Sequence, residues 1–221
     1  MKSRTERAYD IWAHDYDNHP NPHILLEHDD VLKLVSPKRS DEILDAGCGT
    51  GKYALEFSNK GAEVTGIDFS DKMLEIAGKK CPGVKFYKDD LQKKLSFRNG
   101  KFNKINCAQT LKHVRKLNFT IKEFHRVLKK GGILVFSVTH PDMDWNGYET
   151  KSHGNFILGE NSDIYHHKFK DYLFAVDNAG FKIDTIKQLP INKKIELLLT
   201  PKSYRIVKGR FEIIIFRLNK T

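Results

Sequence analysis

Cysteine is scarce in this chain, with Cys48, Cys81 and Cys107 spread over 221 residues. Three scattered cysteines are too few for a disulfide framework or a zinc cluster, so we expect no metal site. The chain also lacks an apolar run long enough to cross a bilayer, and its opening, MKSRTERAYDIWAHDYD, lacks the apolar core of a secretory signal. These absences predict a cytoplasmic protein without a membrane span.

The length and the net charge of the chain limit the number of domains and the kinds of binding partner. A chain of 221 residues suits a single domain spanning 1–221, and 39% hydrophobic with 30% charged residues is typical of a globular protein. A net charge of +10 would allow a nucleic acid partner, but no arginine-rich run or RNA-binding motif accompanies it. We therefore favour a lysine-rich solvated surface. No pattern indicates an oligomeric state.

Strand-like and helix-like segments alternate along the chain. Apolar, β-prone runs occupy 42–46, 62–68, 84–88, 102–108, 132–139, 181–189 and 211–218. Between the first five runs lie stretches of helical period, such as KYALEFSNK and FTIKEFHRVLKK. This order predicts an α/β fold, a Rossmann-like doubly wound sheet of seven strands that is mostly parallel. The last two runs break the rhythm and predict an antiparallel C-terminal edge strand.

The stretch DAGCGTG, Asp45 to Gly51, places three glycines directly after the first predicted strand. Alternating glycines allow positive φ and let a ligand approach bare backbone. Ligands in doubly wound sheets bind at the carboxyl ends of the strands, where Asp68, Asp89 and Asp90 also lie. A dinucleotide-binding oxidoreductase is disfavoured, because Lys52 stands where its G-x-G-x-x-G fingerprint needs glycine.

Three stretches resemble motifs of class I S-adenosylmethionine (SAM)-dependent methyltransferases of the small menaquinone/ubiquinone type: YDIWAHDYD, ILDAGCGTGKYALEFSNKGAEVTGIDFSDKMLEIA and HRVLKKGGILVFSVTHP. The resemblance implies SAM as the cofactor. It also implies contacts with the methionine moiety from Asp45, Gly47 and Gly49, with Cys48 between them; with the ribose from Asp68; with the adenine from Phe69, Met73, Asp89 and Asp90; and with the sulfonium from Tyr16 and the backbone of Ala108. For Met73 the alternative is ordinary core filling.

The chain departs from the family at positions near the expected acceptor side. Lys130 replaces the proline of a frequent RVLKPGG motif, Asn103 replaces the acid of FDLV, and LKHV stands for LHHV. None of these changes touches an inferred SAM contact, so the cofactor prediction stands. The identity of the acceptor stays open.

Methyl transfer needs positioning of two reactants above all, and a base only if the acceptor arrives protonated. His140 is the first candidate base because it follows a strand at the ligand-binding edge, and His113 is the second, although a histidine in a polar loop is more often a hydrogen-bonded bystander. The resulting prediction is methyl transfer from SAM to a small-molecule acceptor. An RNA methyltransferase and a non-catalytic SAM-binding protein are the alternatives.

Two further segments have predicted roles. Residues 1–35 precede the first strand and are expected to form a helical cap over the cleft. Residues 140–167 read as an inserted loop on the acceptor side, because long loops in compact domains are often functional. Its aromatic residues are Trp145, Tyr148, Phe156 and Tyr165, and its basic neighbours, which would favour a carboxylate or phosphate on the acceptor, are Lys151, His153, His166, His167 and Lys168.

Overall fold

A computed structural model describes residues 2–141 and 162–221 of the chain. Its strands are β1 Glu42–Ala46, β2 Glu63–Asp68, β3 Lys85–Lys88, β4 Phe102–Ala108, β5 Leu128–Thr139, β6 Phe181–Pro190 and β7 Phe211–Lys220. They form one seven-stranded sheet in the order β3-β2-β1-β4-β5-β7-β6. The predicted α/β, Rossmann-like fold class is therefore confirmed. β5 begins four residues earlier than expected, because the backbone of 128–131 continues the strand.

The described α-helices are α1 Arg4–Trp12, α2 Pro22–Val35, α3 Lys52–Asn59, α4 Asp71–Lys80, α5 Leu117–Val127, α6 Phe169–Asn178 and α7 Pro201–Val207. Local sequence explains several starts. The side chains of Ser3, Asn21, Ser70 and Thr200 accept hydrogen bonds from first-turn amides, and Pro22 and Pro201 occupy first helical positions. None of the helices within the described ranges is long and apolar enough to cross a bilayer.

The order of the strands reverses at β1: β2 and β3 are added on one side of it, and β4 and β5 on the other. Strand β1 pairs with β2 on one side and with β4 on the other, both in parallel, with Asp45 opposite Gly66 and Asn106. The chain winds outward from this point in both directions, which opens a crevice at the carboxyl ends of β1 and β4. The glycine-rich stretch after β1 therefore lies at the expected binding position.

The C-terminal strand is antiparallel, as expected, but it is not the outermost strand. β7 pairs with β5 on one side and β6 on the other, so β6 forms the edge. The two sequences explain this order. FEIIIFRLNK is buried almost throughout, as a strand covered on both faces must be, whereas FKIDTIKQLP is largely exposed and ends in a proline suited to an edge.

Apolar side chains cover both faces of the sheet. One cluster joins the sheet to α5 and α6 through residues such as Phe124, Phe136 and Phe216. The other joins it to α2, α3 and α7 through residues such as Val31 and Phe57. All three cysteines are buried and free. Because α2 belongs to this second layer, the segment before β1 is part of the core as well as of the binding edge.

A buried ion pair connects the start of the sheet to β4. Lys104 Nζ lies 2.7 Å from Asp41 Oδ2, and the two side chains are only 9% and 8% exposed. We expect Lys104→Met to lower the free energy of unfolding by about 3 kcal/mol, because it leaves a buried carboxylate without its counter-charge. Urea unfolding followed by circular dichroism measures the change.

The matched control is Lys85→Met, which breaks the surface pair of Lys85 with Glu63, 68% and 61% exposed. Exposed pairs contribute about 0 to 1 kcal/mol, so this variant should unfold close to the parent. Equal losses in the two variants would contradict the importance of the buried pair.

Candidate active site

The glycine loop has the backbone that its sequence predicts. Gly47, Gly49 and Gly51 have φ values of 74°, 52° and 80°, all in the left-handed region. The amides of Gly47 and Cys48 donate to the carbonyl of Ile67 at 2.8 and 3.0 Å, which ties the loop to β2. The loop is thus held open at the point where β1 and β4 diverge.

Two of these glycines serve different purposes. A Cβ on Gly47 would lie 2.4 Å from the side chain of Thr110, so Gly47 is required by packing against the segment after β4. A Cβ on Gly49 would meet no described atom within 4 Å. Gly49 therefore borders open space, as a residue that a ligand passes should.

Asp68 ends β2 with its carboxylate aimed into the loop. Oδ2 accepts a hydrogen bond from Gly49 N at 3.0 Å, and Oδ1 accepts one from Ser70 N at 2.9 Å. Burial raises the pKa of Asp68 to about 6. Each carboxylate oxygen can accept a further hydrogen bond, so the side chain is oriented and still able to bind vicinal hydroxyls.

Asp45 is 2% exposed inside β1. Its Oδ1 accepts from Asn106 Nδ2 at 2.8 Å, and its Oδ2 makes no hydrogen bond of normal geometry to the described residues. Burial raises the pKa of Asp45 to about 7, an effect that Asn106 and the amide of Ala54 in α3 partly offset. A buried carboxyl oxygen without a full partner suits a ligand that brings a cationic or donating group.

Asp89 and Asp90 form the turn after β3. Asp89 Oδ1 accepts from Asp90 N at 2.8 Å and its Oδ2 from Ser96 N at 3.0 Å, while Asp90 Oδ1 accepts from Gln92 N at 2.9 Å. The amide of Asp89 donates to the carbonyl of Asp68. These bonds hold the turn beside the end of β2. The contacts of both residues with adenine stay predictions.

The remaining predicted cofactor residues lie around the same edge. Phe69 packs edge-on against Tyr9, with ring centroids 5.9 Å apart. Met73 is fully buried in α4, which fits its core-filling alternative. Burial raises the pKa of the Cys48 thiol well above its usual range, so its small size is its contribution to the loop. Ala108 ends β4 opposite Ser137 of β5.

The segment before β1 lies across this edge. Ser70 Oγ donates to Asp10 Oδ1 at 2.6 Å, and Thr50 Oγ1 donates to Asp17 Oδ1 at 2.8 Å. Tyr16 packs on Trp12 with centroids 4.5 Å apart, and burial raises the pKa of Tyr16 to about 12. The first seventeen residues therefore contact both the glycine loop and the start of α4.

His113 has a structural role in this arrangement. Its Nδ1 lies 2.9 Å from the carbonyl oxygen of Asp163, so Nδ1 carries the proton and Nε2 accepts from Tyr9 Oη at 3.0 Å. Burial lowers the pKa of His113 to about 4, which keeps the ring neutral. Both nitrogens are engaged, so the ring has no lone pair available for taking a proton from an acceptor.

His140 follows β5 at the predicted edge. Its amide donates to the carbonyl of Glu212 at 2.7 Å, and its ring stacks near Phe211 with centroids 6.1 Å apart. The end of the predicted acceptor loop returns to the same region, since Tyr165 N donates to Lys112 O at 2.8 Å. His166 and Lys168 are exposed there, and His167 contacts Val114 O. Five predicted loop residues lie outside the described ones: Trp145, Tyr148, Lys151, His153 and Phe156.

Several polar residues of this edge were missed by sequence reasoning, above all Glu27, Gln109, Lys112 and Glu212. Glu27 is fully buried on α2 and accepts hydrogen bonds from Gln109 and Tyr53. A signal for it existed in the sequence. Glu27 shares a stripe of four-residue spacing with Val31 and Val35, and a carboxyl group on an otherwise buried helical stripe indicates a special role.

Comparison with known proteins agrees with this geometry. The family described as a methyltransferase domain matches residues 44–136, which include the last three residues of β1, the glycine loop, Asp68 and the end of β4. This match covers less than half of the chain and supports the resemblance to class I SAM-dependent methyltransferases. The cofactor fits this site, because the open side of Gly49 and the incompletely bonded Asp45 are features that a ligand with a charged amino-acid end would use.

Individual relatives extend the likeness beyond this domain. The chain is similar to a demethylmenaquinone methyltransferase of Chlorobaculum parvum, 39% identical over 101 residues, or 45% of this chain and 42% of that protein. It is also similar to a ubiquinone/menaquinone biosynthesis C-methyltransferase of Zymomonas mobilis, 27% identical over 84% of this chain and 76% of that protein. The match to the first relative thus spans about two fifths of its length.

A solved structure shares the fold. The SAM-dependent methyltransferase from Mesorhizobium loti has a TM-score of 0.72 at 22% identity, covering 88% of this chain and 97% of that one. The likeness therefore extends to the strands and helices outside the matched domain.

Asp68→Ala tests the ribose assignment. The change removes two charge-assisted hydrogen bonds to the ligand, so SAM binding should weaken by about 2 to 4 kcal/mol. Isothermal titration measures the affinity, and a circular-dichroism melt shows whether the fold is retained. Unchanged affinity in a folded variant would remove Asp68 from the site.

The raised pKa of Asp68 predicts a pH dependence of SAM binding. With a pKa of about 6 in the free protein, the carboxylate is mostly ionised above pH 6 and protonated below it. Because the ionised form accepts hydrogen bonds from the ribose, affinity should fall as the pH drops from 7 to 5. Titrations across this range in Asp68→Ala should show a smaller change.

The cap predicts protection by the cofactor. We expect SAM to slow chymotrypsin cleavage after Tyr16, because a ligand between the cap and the glycine loop would hold Asp10 and Asp17 against Ser70 and Thr50. Mass spectrometry of timed digests measures the rate. Asp68→Ala is the control and should show no protection. Equal cleavage of the parent with and without SAM would count against a lid.

Proposed function

We propose that the protein transfers the methyl group of SAM to a small-molecule acceptor of the quinol type. The observation that carries the proposal is the positive-φ glycine loop beside two buried carboxyl groups, Asp45 and Asp68, at the divergence of β1 and β4. The names of the demethylmenaquinone and ubiquinone/menaquinone relatives support the acceptor class.

The residues of this chain bind, orient and shield. Asp68 would hold the ribose hydroxyls, and Asp45 with the loop backbone would hold the methionine end. Tyr16 and the segment before β1 would exclude water, which strengthens the electrostatics of the closed site. Bound SAM would supply a methyl group attached to a positively charged sulfonium. Transfer of that methyl group leaves a neutral thioether.

The acceptor would lie over the carboxyl ends of β4 and β5. His140 is proposed to line this side, because it follows β5 and its neighbour in space is the start of β7. An acceptor that carries a carboxylate or phosphate would meet His166 and Lys168, which are exposed at the returning end of the loop. We therefore propose, in addition to methyl transfer, that the acceptor's outer end carries a negative charge.

Transfer is tested with methyl-labelled SAM and two acceptor pools. We expect label in 1,4-naphthohydroquinone, a menaquinol ring without its methyl group, and none in total RNA; Asp68→Ala should abolish the signal. Mass spectrometry identifies the product. Label in RNA would favour the RNA methyltransferase, and SAM binding without transfer to either pool or to a cell extract would favour a non-catalytic SAM-binding protein.

A further inference from the structure

A buried carboxyl group reaches from α2 to the ends of the central strands. Glu27 is fully buried; its Oε2 accepts from Gln109 Nε2 at 2.8 Å and its Oε1 from Tyr53 Oη at 3.2 Å. Desolvating a carboxylate costs several kcal/mol in protein interiors, so a well-packed apolar residue here would be the more stable choice. None of the predicted cofactor contacts uses this group.

Gln109 holds Glu27 beside the end of β4. Gln109 directly follows Ala108 and has a φ of 53°, an uncommon backbone for a residue with a side chain. Its backbone N–H donates to both Ser137 O at 3.0 Å and Ser137 Oγ at 3.1 Å. Its side-chain Oε1 accepts from Thr139 Oγ1 at 3.3 Å. Such strain is maintained where the surroundings require a defined side-chain position.

The charges beyond Glu27 form a small buried cluster. Lys112 faces both Glu27 and Glu212, and Glu212 is fully buried. Glu212 Oε1 lies 2.8 Å from His23 Nε2, and its Oε2 has no hydrogen-bond partner among the described residues. His23 lies one helical turn before Glu27. Burial raises the pKa of Glu212 to about 9, so near neutral pH this carboxyl group is protonated and Lys112 balances the charge of an ionised Glu27.

This cluster and the cofactor residues share one edge of the sheet. Ala108 ends β4, which is hydrogen-bonded to β1 and thus about 4.8 Å from the strand that leads into the glycine loop. Gln109 is one residue further on, so its partner Glu27 lies beside the end of β4. Thr139, at the end of β5, contacts Gln109 from the neighbouring strand.

We propose that Glu27 accepts a proton from the acceptor's hydroxyl group, and that the inner part of the acceptor site takes a neutral, phenol-like O–H. The inference rests on the proposed methyl transfer. It adds the residue that receives the proton and the chemical group that it selects.

The step balances without another reactant. The acceptor's O–H bond breaks, its proton passes to the Glu27 carboxylate, and the electron pair stays with the acceptor. That pair forms the new bond to the methyl carbon, at the oxygen or through a conjugated ring carbon, which then returns its own proton to the oxygen. The sulfur–methyl bond breaks with its electrons on sulfur. Glu27 then releases the proton to solvent.

The surroundings of Glu27 set the pH at which it works. Burial raises the pKa of Glu27 to about 7, whereas Gln109, Ser137, Tyr53 and Lys112 act in the opposite direction. Tyr16 also faces Glu27, and the pKa of Tyr16 is raised to about 12, so that phenol stays neutral. Since the ionised carboxylate is the active form, turnover should rise with pH up to about 7 and level off above it.

Glu27→Gln tests the proposal, because it keeps the shape and removes the base. With SAM at a concentration that saturates the site at every pH, we expect unchanged SAM affinity, turnover of 1,4-naphthohydroquinone lower by ~10²- to 10⁴-fold, and loss of the rise between pH 5.5 and 7. Asp29→Asn, an exposed residue of the same helix, is the matched control and should keep turnover and pH profile. His140→Ala should lower turnover at least tenfold and keep the rise, since it lines the site without receiving the proton. An unchanged pH profile in Glu27→Gln would overturn the proposal.

A binding experiment separates this proposal from the proposed function. We compare 1-naphthol with 1-methoxynaphthalene, which lacks the O–H, by titration into the complex with demethylated SAM at pH 8. The parent should prefer 1-naphthol by at least tenfold, and Glu27→Gln should lose most of that preference. This result stands even if no acceptor is methylated. Equal binding of the two probes by the parent, or the same preference in both proteins, would refute a role for Glu27.

Discussion

The desolvation of carboxyl groups at one edge of the sheet is the constraint on which the rest of the site depends. Glu27, Asp45, Asp68 and Glu212 are all buried there, and burial raises the pKa of each. A soluble fold tolerates such groups only where donors or ligands meet them. This chain supplies those donors and charges from the glycine loop, Asn106, Gln109 and Lys112.

The buried carboxyl groups find their hydrogen-bond donors in different ways on the two sides of this edge. On the cofactor side, backbone amides of the glycine loop and of the start of α4 orient Asp68, so the geometry follows from the strand–turn–helix connections themselves. On the acceptor side the donors are side chains, brought from α2, α3 and the segment after β4. Cofactor binding is thus built into the sheet, whereas the acceptor site depends on what packs over it.

The segment before β1 serves both sides. Its first turns contact Thr50, Ser70 and Phe69 around the proposed cofactor site, and α2 carries His23 and Glu27 to the proposed acceptor side while packing Val31 and Val35 into the core. A helix that is anchored in the core at one end and polar at the other can place a carboxyl group where water is excluded. Rigid placement of this kind is what positioning-based catalysis requires.

The sequence by itself determined the strands, most of the helices, the glycine loop and the carboxyl groups after β2 and β3, because these depend on local periodicity and on the rule that parallel strands expose one shared edge. The apolar run in FEIIIFRLNK also indicates a strand covered on both faces, which is why β7 lies inside the sheet and not at its edge. The partners across long separations were decided only by tertiary structure. Tyr9 engages His113, and Glu27 meets Gln109 and Lys112, through contacts between segments about a hundred residues apart, which no local pattern encodes. His113 was the second candidate base, with a hydrogen-bonded bystander as the favoured alternative. Its partners, Tyr9 and the carbonyl of Asp163, lie on distant segments, so spacing along the chain could not reveal them.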